Sequence, residues 1–211
     1  MTTASGAKPG PTQAVLVASP DRILSHHCYM YHVCDRGNVK FILDGMLGKL
    51  SRWLRMLGHD VKYTGAFDDD ALIEIATTER RILLTRDVEL YQRATRAHAE
   101  VVLVDGTNEA ERLGLLAMRF GLSLEFDPTI SRCPKCNSGI GPAREEDVAW
   151  KIPPSTREFH HHFWECPQCG KVYWQGAHWV RIARTLDEAK RIAKSEKRAY
   201  SPPSNHFSGT S

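Results

Sequence analysis

Two hydrophobic periods alternate along residues 39–120. Short apolar runs at 41–43, 82–84 and 101–104 are each followed within three residues by an aspartate. Their length is typical of buried strands in a parallel sheet. Between the runs, apolar residues recur at steps of three and four, as at Leu47, Leu50, Leu54 and Leu57. That spacing places them on one face of an amphipathic helix.

This alternation predicts four strands and four helices in turn. Strands are expected at 41–43, 59–64, 81–87 and 101–106, and a helix is expected after each, the third over 88–98 and the fourth over 108–120. Strictly alternating strands and helices are typical of a parallel sheet covered by helices. Residues 39–129 are therefore predicted to form an α/β domain.

The segments on either side differ in composition. Residues 1–38 are rich in Gly, Pro, Ser and Thr and are expected to form a weakly ordered extension. A boundary is expected near residue 129, followed by a small second domain over 130–180. A basic helix and a disordered tail are expected over 181–211.

The composition is that of a globular protein, with 42% hydrophobic and 25% charged residues. The sequence contains neither an apolar run long enough to span a membrane nor a secretory signal, so we expect a cytoplasmic protein with no membrane partner. It carries no signal for an oligomeric state.

The net charge of +3 is unevenly distributed. Residues 39–129 carry 12 basic and 15 acidic side chains, whereas residues 130–211 carry 13 basic and eight acidic ones. This split predicts that the acidic part holds a metal ion and the basic part holds a polyanion. A solvated basic tail is the alternative.

Acidic residues follow predicted strands or begin predicted helices at Asp44, at 68–70 and at Asp87. Parallel strands end at one edge of a sheet, so Asp44 and Asp87 are expected to converge there, joined by an aspartate from the second helix. Clustered carboxylates repel unless a cation neutralises them, and Mg²⁺ or Mn²⁺ prefers such oxygen ligands. Thr85 could orient the carboxylates. Helix caps and a turn aspartate are the alternatives.

Four of the six cysteines form two C-x-x-C pairs, Cys133 with Cys136 and Cys166 with Cys169, separated by 29 residues. Two such pairs can present four thiolates to one tetrahedral ion, which predicts a structural zinc ribbon with no open catalytic position. Thiol–disulfide exchange is the competing interpretation.

Aromatic and basic side chains suggest where RNA would bind. Lys49, Arg52 and Arg55 recur on the first helix and are predicted to contact the RNA backbone, with a solvated face as the alternative. Trp174 and Trp179 could stack on unpaired bases, or could instead cover the small core of the ribbon, which we favour for at least one of them. The terminal helix could follow phosphates or be solvated.

Three motifs, FILDGMLGKLSRWLRMLG at 41–58, DDDALIEIA at 68–76 and RRILLTRD at 80–87, together with the cysteine pairs, resemble the Mut-seven C-terminal ribonuclease domain family. This family is a branch of the PIN-like nucleases, and the resemblance extends over about residues 39–180. It implies a PIN-like α/β/α sandwich that cleaves RNA with a metal ion held by clustered acids.

The resemblance also implies roles for individual residues. Asp44 matches the acid after the first strand and Asp87 the acid after the third. Asp69 best matches the acid at the start of the second helix, with Asp70 and Glu74 as alternatives. A fourth acid is often present in PIN-like sites, and Asp105 stands at a suitable strand end.

We therefore predict a Mg²⁺- or Mn²⁺-dependent ribonuclease with Asp44, Asp69, Asp87 and Thr85 at its site, RNA being held partly by a basic zinc ribbon. The alternative is a non-catalytic RNA- or ribosome-associated binding protein with a vestigial nuclease site. A toxin-like nuclease is a third and weaker interpretation.

Overall fold

The computed structural model of the protein describes residues 39–200, and it describes side chains as far as Glu196. The extension predicted for residues 1–38 and the tail predicted beyond residue 200 lie outside the described residues. Within them, no helix is both long enough and apolar enough to cross a membrane.

The first half is built on a sheet of four parallel strands. They are β1 (Lys40–Leu43), β2 (Asp60–Tyr63), β3 (Ile82–Thr85) and β4 (Val101–Leu103), in the order β2-β1-β3-β4. The helices between and after them are α1 (Gly48–Met56), α2 (Asp69–Thr78), α3 (Val88–Arg96) and α4 (Glu109–Phe120). The predicted α/β fold with a parallel sheet is confirmed.

Alternate strand residues enter different cores, as the two-residue period of a strand requires. Phe41 and Leu43 pack with Leu residues of α1 and α4 on one face of the sheet. Ile42 between them packs on the opposite face with residues of α2 and α3. The sheet is therefore covered on both faces, which explains why its strands are almost wholly apolar.

The chain changes direction across the sheet after β2. It runs from β1 outward to β2 and then crosses to β3 on the other side of β1. The carboxyl ends of β1 and β3 therefore flank a topological switch point, the place where open α/β sheets bind ligands.

The second half contains a small antiparallel sheet of β5 (Gly141–Ala143), β6 (Phe163–Glu165) and β7 (Val172–Tyr173). Two short helices, α5 (Glu145–Val148) and α6 (Pro154–Phe159), lie in the connection between β5 and β6. The core of this second half consists of Val148, Ile152, Phe163 and Val172. Trp174 packs against these residues. The expectation that at least one tryptophan covers the ribbon core is met by Trp174.

The last helix, α7 (Trp179–Tyr200), packs against the first half of the protein. Its Leu186 and Ala189 are buried in the same core as α1 and α4. Trp179, at the start of α7, meets Phe126 edge-on with the ring centroids 4.5 Å apart. Trp179 therefore packs beside the segment that follows α4.

Candidate functional site

Asp44, Thr85 and Asp87 form a continuous hydrogen-bonded set at the switch point. The Thr85 hydroxyl donates to Oδ2 of Asp44 and accepts from the backbone amide of Asp87 at 2.9 Å. Thr85 is fully buried and Asp44 is 6% exposed, whereas Asp87 is exposed. One buried hydroxyl thus joins the Asp44 carboxylate to the backbone of Asp87, while convergence of the two carboxylates stays a prediction.

Both acids also cap helices. Asp44 accepts from the Met46 amide at 2.8 Å at the start of the 3₁₀ turn Gly45–Leu47, and its Oδ2 accepts from the Arg86 amide at 3.2 Å. Oδ1 of Asp87 accepts from the amides of Glu89 and Leu90 and caps α3. Capping and a position at the switch point occur in the same side chains, so the two interpretations of these residues are compatible.

Asp69 lies at the first turn of α2 and is joined to α3. Its Oδ2 accepts from Arg93 at 2.7 Å, and the same guanidinium donates to Asp70 at 2.5 Å. Asp68 is the residue that caps α2, through the Ala71 amide. Within residues 39–196, no hydrogen bond or ion pair joins Asp69 to Asp44 or to Asp87.

Arg93 was not among the residues predicted from the sequence. The available signal was its spacing, since it lies between the buried Leu90 and Ala94 on the side of α3 that faces α2. A cation at that position can balance acids at the start of the neighbouring helix.

The chemistry of the donors fits a hard divalent cation. Oδ2 of Asp87 has no hydrogen-bond partner in the described part of the chain. No three carboxylates among the described residues bring their oxygens within 4.8 Å of one another. An ion would thus be held directly by one or two carboxylates and through water by the others, as Mg²⁺ favours. Asp105, the fourth candidate, is exposed and accepts from the Gly106 amide.

The three basic residues of α1 have different environments. Lys49 and Arg52 are exposed, whereas Arg55 is only 5% exposed. The Arg55 guanidinium donates to the carbonyls of Val61, Pro134 and Lys135 at 2.8–3.2 Å. The prediction that Arg55 contacts RNA is wrong, because its donors are already bound to backbone oxygens inside the protein.

Arg55 belongs to a junction between the edge strand β2 and the first cysteine pair. Asn137 accepts from the Val61 amide at 3.0 Å and donates to Asp60 at 2.8 Å. Arg81 then pairs with Asp60 at 3.1 Å. Hydrogen bonds from Arg81 and Asn137 lower the pKa of the Asp60 carboxyl, overcoming the opposing effect of burial.

The four predicted cysteines come together. The sulfurs of Cys133, Cys136, Cys166 and Cys169 all lie within 4.8 Å of one another, and none forms a disulfide. This geometry can hold one metal ion on four thiolates and leaves no open position.

The thiols interact strongly when no cation is present. Burial opposes ionisation of Cys133, but hydrogen bonds from Tyr173 and from the amides of Cys136 and Lys135 lower its pKa to about 7. Burial and the neighbouring thiols raise the pKa of Cys169. The Tyr173 hydroxyl lies 3.0 Å from the Cys133 sulfur. Four adjacent thiolates repel one another, and a bound cation would neutralise them.

Fold and sites together define an α/β protein with acids at its switch point and a four-cysteine ribbon compatible with zinc. A family model, the Mut7-C RNAse domain, matches residues 39–186. The chain therefore belongs to the Mut7-C RNAse domain family. No curated protein and no solved structure matches it.

Proposed function

We propose that the protein is a Mg²⁺- or Mn²⁺-dependent ribonuclease that hydrolyses RNA phosphodiester bonds at the switch point. The observation that carries this proposal is the buried Thr85 hydroxyl, which donates to the Asp44 carboxylate and accepts from the Asp87 backbone amide, in a chain of a ribonuclease domain family. The toxin-like role finds no support in any described feature.

Each residue of the proposed site has its own role. A bound Mg²⁺ or Mn²⁺ supplies charge stabilisation and a more acidic water. Asp87, with a free oxygen, is the expected direct ligand, and Asp44 is held in place by Thr85 and by backbone amides. Asp69, held by Arg93, lies at the periphery of the proposed site and contributes negative charge there. Lys49 and Arg52, both exposed, contact the RNA backbone, and residues 130–211 contribute further cationic contacts.

The four cysteines hold one Zn²⁺ in a structural role. The ion neutralises thiolates that otherwise raise one another's pKa, and it fixes the two cysteine turns relative to each other. Unpaired, clustered thiols fit a reducing compartment, which supports a cytoplasmic location.

The substitution Asp87→Asn tests the catalytic role. Asparagine caps a helix as well as aspartate does, so α3 and the fold should be preserved while the negative ligand is lost. We expect Mn²⁺-dependent cleavage of labelled RNA to fall at least about 100-fold, with an unchanged melting temperature.

Asp127→Asn is the matched control. Asp127 accepts from Thr129 in the segment after α4, at the opposite edge of the sheet, and its substitution should leave cleavage unchanged. Cleavage by Asp87→Asn at the parental rate would refute the assignment.

A non-catalytic RNA- or ribosome-associated binding protein is the second candidate. It is favoured by the engagement of Asp69 and Asp70 with Arg93 and by the helix caps made by Asp44 and Asp87. Such a protein would bind RNA equally well with and without Mn²⁺ and would never shorten it.

A further inference from the structure

The positive charge of residues 130–211 is concentrated outside the ribbon. Residues 130–180 carry six basic and five acidic side chains, so the expected basic ribbon is almost neutral. Residues 181–198 carry seven basic and three acidic ones. The cationic surface of this part of the chain is therefore helix α7.

Helix α7 belongs structurally to the first half of the protein, which contains the parallel sheet β1–β4. Besides Leu186 and Ala189 in the main core, Ile182 and Ile192 pack against it. Gly114 of α4 lies so close that a Cβ atom there would be 2.9 Å from both the Ala189 carbonyl and Ile192. Cations on the outer side of α7 are thus carried on the domain that holds the acids.

The direction of α7 follows from its contacts. Its first residue, Trp179, contacts Phe126 in the segment after α4. Further along α7, Ala189 and Ile192 contact Gly114 in the middle of α4. The two helices are therefore antiparallel. Because α4 begins just after Asp105 at the carboxyl edge of the sheet, α7 runs toward the edge that carries Asp44 and Asp87.

The outer side of α7 carries four cations that form no ion pair in the described part of the chain, beside the two exposed acids Asp187 and Glu188. Arg181, Arg184, Arg191 and Lys194 are exposed, and none forms an ion pair within the described residues, whereas Lys190 pairs with Glu125 at 2.8 Å. At 1.5 Å per residue, Arg181 and Lys194 are separated by roughly 20 Å along the helix. Arg184 and Arg191, two turns apart, project from the same side, opposite Leu186.

We propose that this outer side of α7, termed the α7 ridge and consisting of Arg181, Arg184, Arg191 and Lys194, binds the phosphate backbone of single-stranded RNA and leads the strand to the acidic edge of the sheet. The inference rests on the proposed ribonuclease function. Its support is charge complementarity, since the four cations form no ion pair with any residue that the structure describes and lie along one helix that runs toward that edge.

The test compares two double variants of the full chain, Arg184→Gln/Arg191→Gln on the α7 ridge and Lys135→Gln/Lys171→Gln on exposed positions of the ribbon. Binding of a fluorescein-labelled single-stranded RNA is followed by anisotropy at several salt concentrations, with zinc retained and without Mg²⁺ or Mn²⁺. Melting temperatures show whether each variant is folded, and cleavage is measured separately with Mn²⁺.

We expect the ridge variant to bind about tenfold more weakly near 0.1 M salt, and its log–log salt slope to fall by about 1.4, the value for two phosphate contacts on a single strand. The ribbon variant should bind within about twofold of the parent. Equal binding by the ridge variant and the parent, or an equal loss in the ribbon variant, would overturn the α7 ridge alone. A parent chain that neither binds nor cleaves RNA would overturn the proposed function as well.

Discussion

At the residue scale, His59 is a half-buried base whose buried Nε2 atom has no hydrogen-bond partner among the described residues. Its Nε2 has no hydrogen-bond partner in the described part of the chain, and its ring meets Phe41 edge-on at 5.7 Å. Burial, and to a smaller extent the charge of Arg132, lower the His59 pKa from 6.5 to about 4. His59 is therefore neutral in the folded protein at neutral pH.

This lowered pKa predicts a pH-dependent stability. Between pH 6.5 and 4 the unfolded chain binds a proton at His59 that the folded chain excludes, so stability is complete above pH 6.5 and is lost as the pH falls toward 4. From pH 7.5 to 5 the loss from this group should be about 2 kcal/mol. Urea unfolding of parent and His59→Leu at both pH values measures it.

The difference in stability loss between the parent and His59→Leu isolates the contribution of His59, because all other titrating groups, the cysteines included, are common to both proteins. His161→Gln, at an exposed position, is the control for replacing a histidine elsewhere in the chain. If His59→Leu lost as much stability as the parent on acidification, His59 would not be responsible.

Arg55 shows why a sequence pattern does not separate cations that stay at the surface from a cation that is buried. A step of three residues turns about 300° around an α-helix, so three cations at such steps spread over roughly 120°. Lys49 and Arg52 remain at the surface, whereas Arg55 turns toward Pro134 and Lys135. Those carbonyls are some eighty positions away in sequence, and a local pattern carries no information about them.

At the scale of elements, the period of the apolar residues predicted β1–β4 and α1–α4, because each of these elements buries one side or both against the sheet. The short helices α5 and α6 were not predicted. They contain few turns and bury little, so they leave no periodic signal. The partner of α7 was not predictable either, because an amphipathic face does not specify what covers it.

The contact between α4 and α7 can be tested at Gly114. In Gly114→Ala the new methyl group would lie 2.9 Å from the Ala189 carbonyl and from Ile192, so the helices must move apart. Alanine gains about 1 kcal/mol in helix propensity, but we expect a net destabilisation of about 1–3 kcal/mol from overpacking. Thermal or urea unfolding measures the change.

Gln92→Ala, an exposed position of α3, is the control for helix propensity and should change stability by less than about 0.5 kcal/mol. A Gly114→Ala protein as stable as the parent, or more so, would show that α4 and α7 do not approach as closely as described.

At the scale of the whole molecule, the four-cysteine site is attached to the sheet that carries the acids. Arg55 and Asn137 join the first cysteine pair to β2, and the Arg132 amide donates to the Arg55 carbonyl at 2.9 Å. If the four cysteines hold zinc as proposed, loss of the metal should loosen strand β2 at the edge of the sheet as well as the ribbon.

Amide hydrogen exchange before and after zinc removal tests this coupling. The Val61 amide, bonded to Asn137, should exchange faster once the metal is chelated. The Leu83 amide, bonded to the Glu100 carbonyl on the far side of β1, is the internal control and should change little. Unchanged protection at Val61 would show that metal binding does not stabilise strand β2.

The packing of α7 on α4 also sets the order in which parts of the protein can fold during translation. On the ribosome, α4 is completed well before Leu186 and Ala189 emerge, so the apolar surface that they cover stays open while the ribbon is still being made. Until then the nascent α/β half exposes an apolar surface to its surroundings. Ribosome stalling within the ribbon would prolong that exposure, and chaperone capture of such arrested chains is its expected consequence.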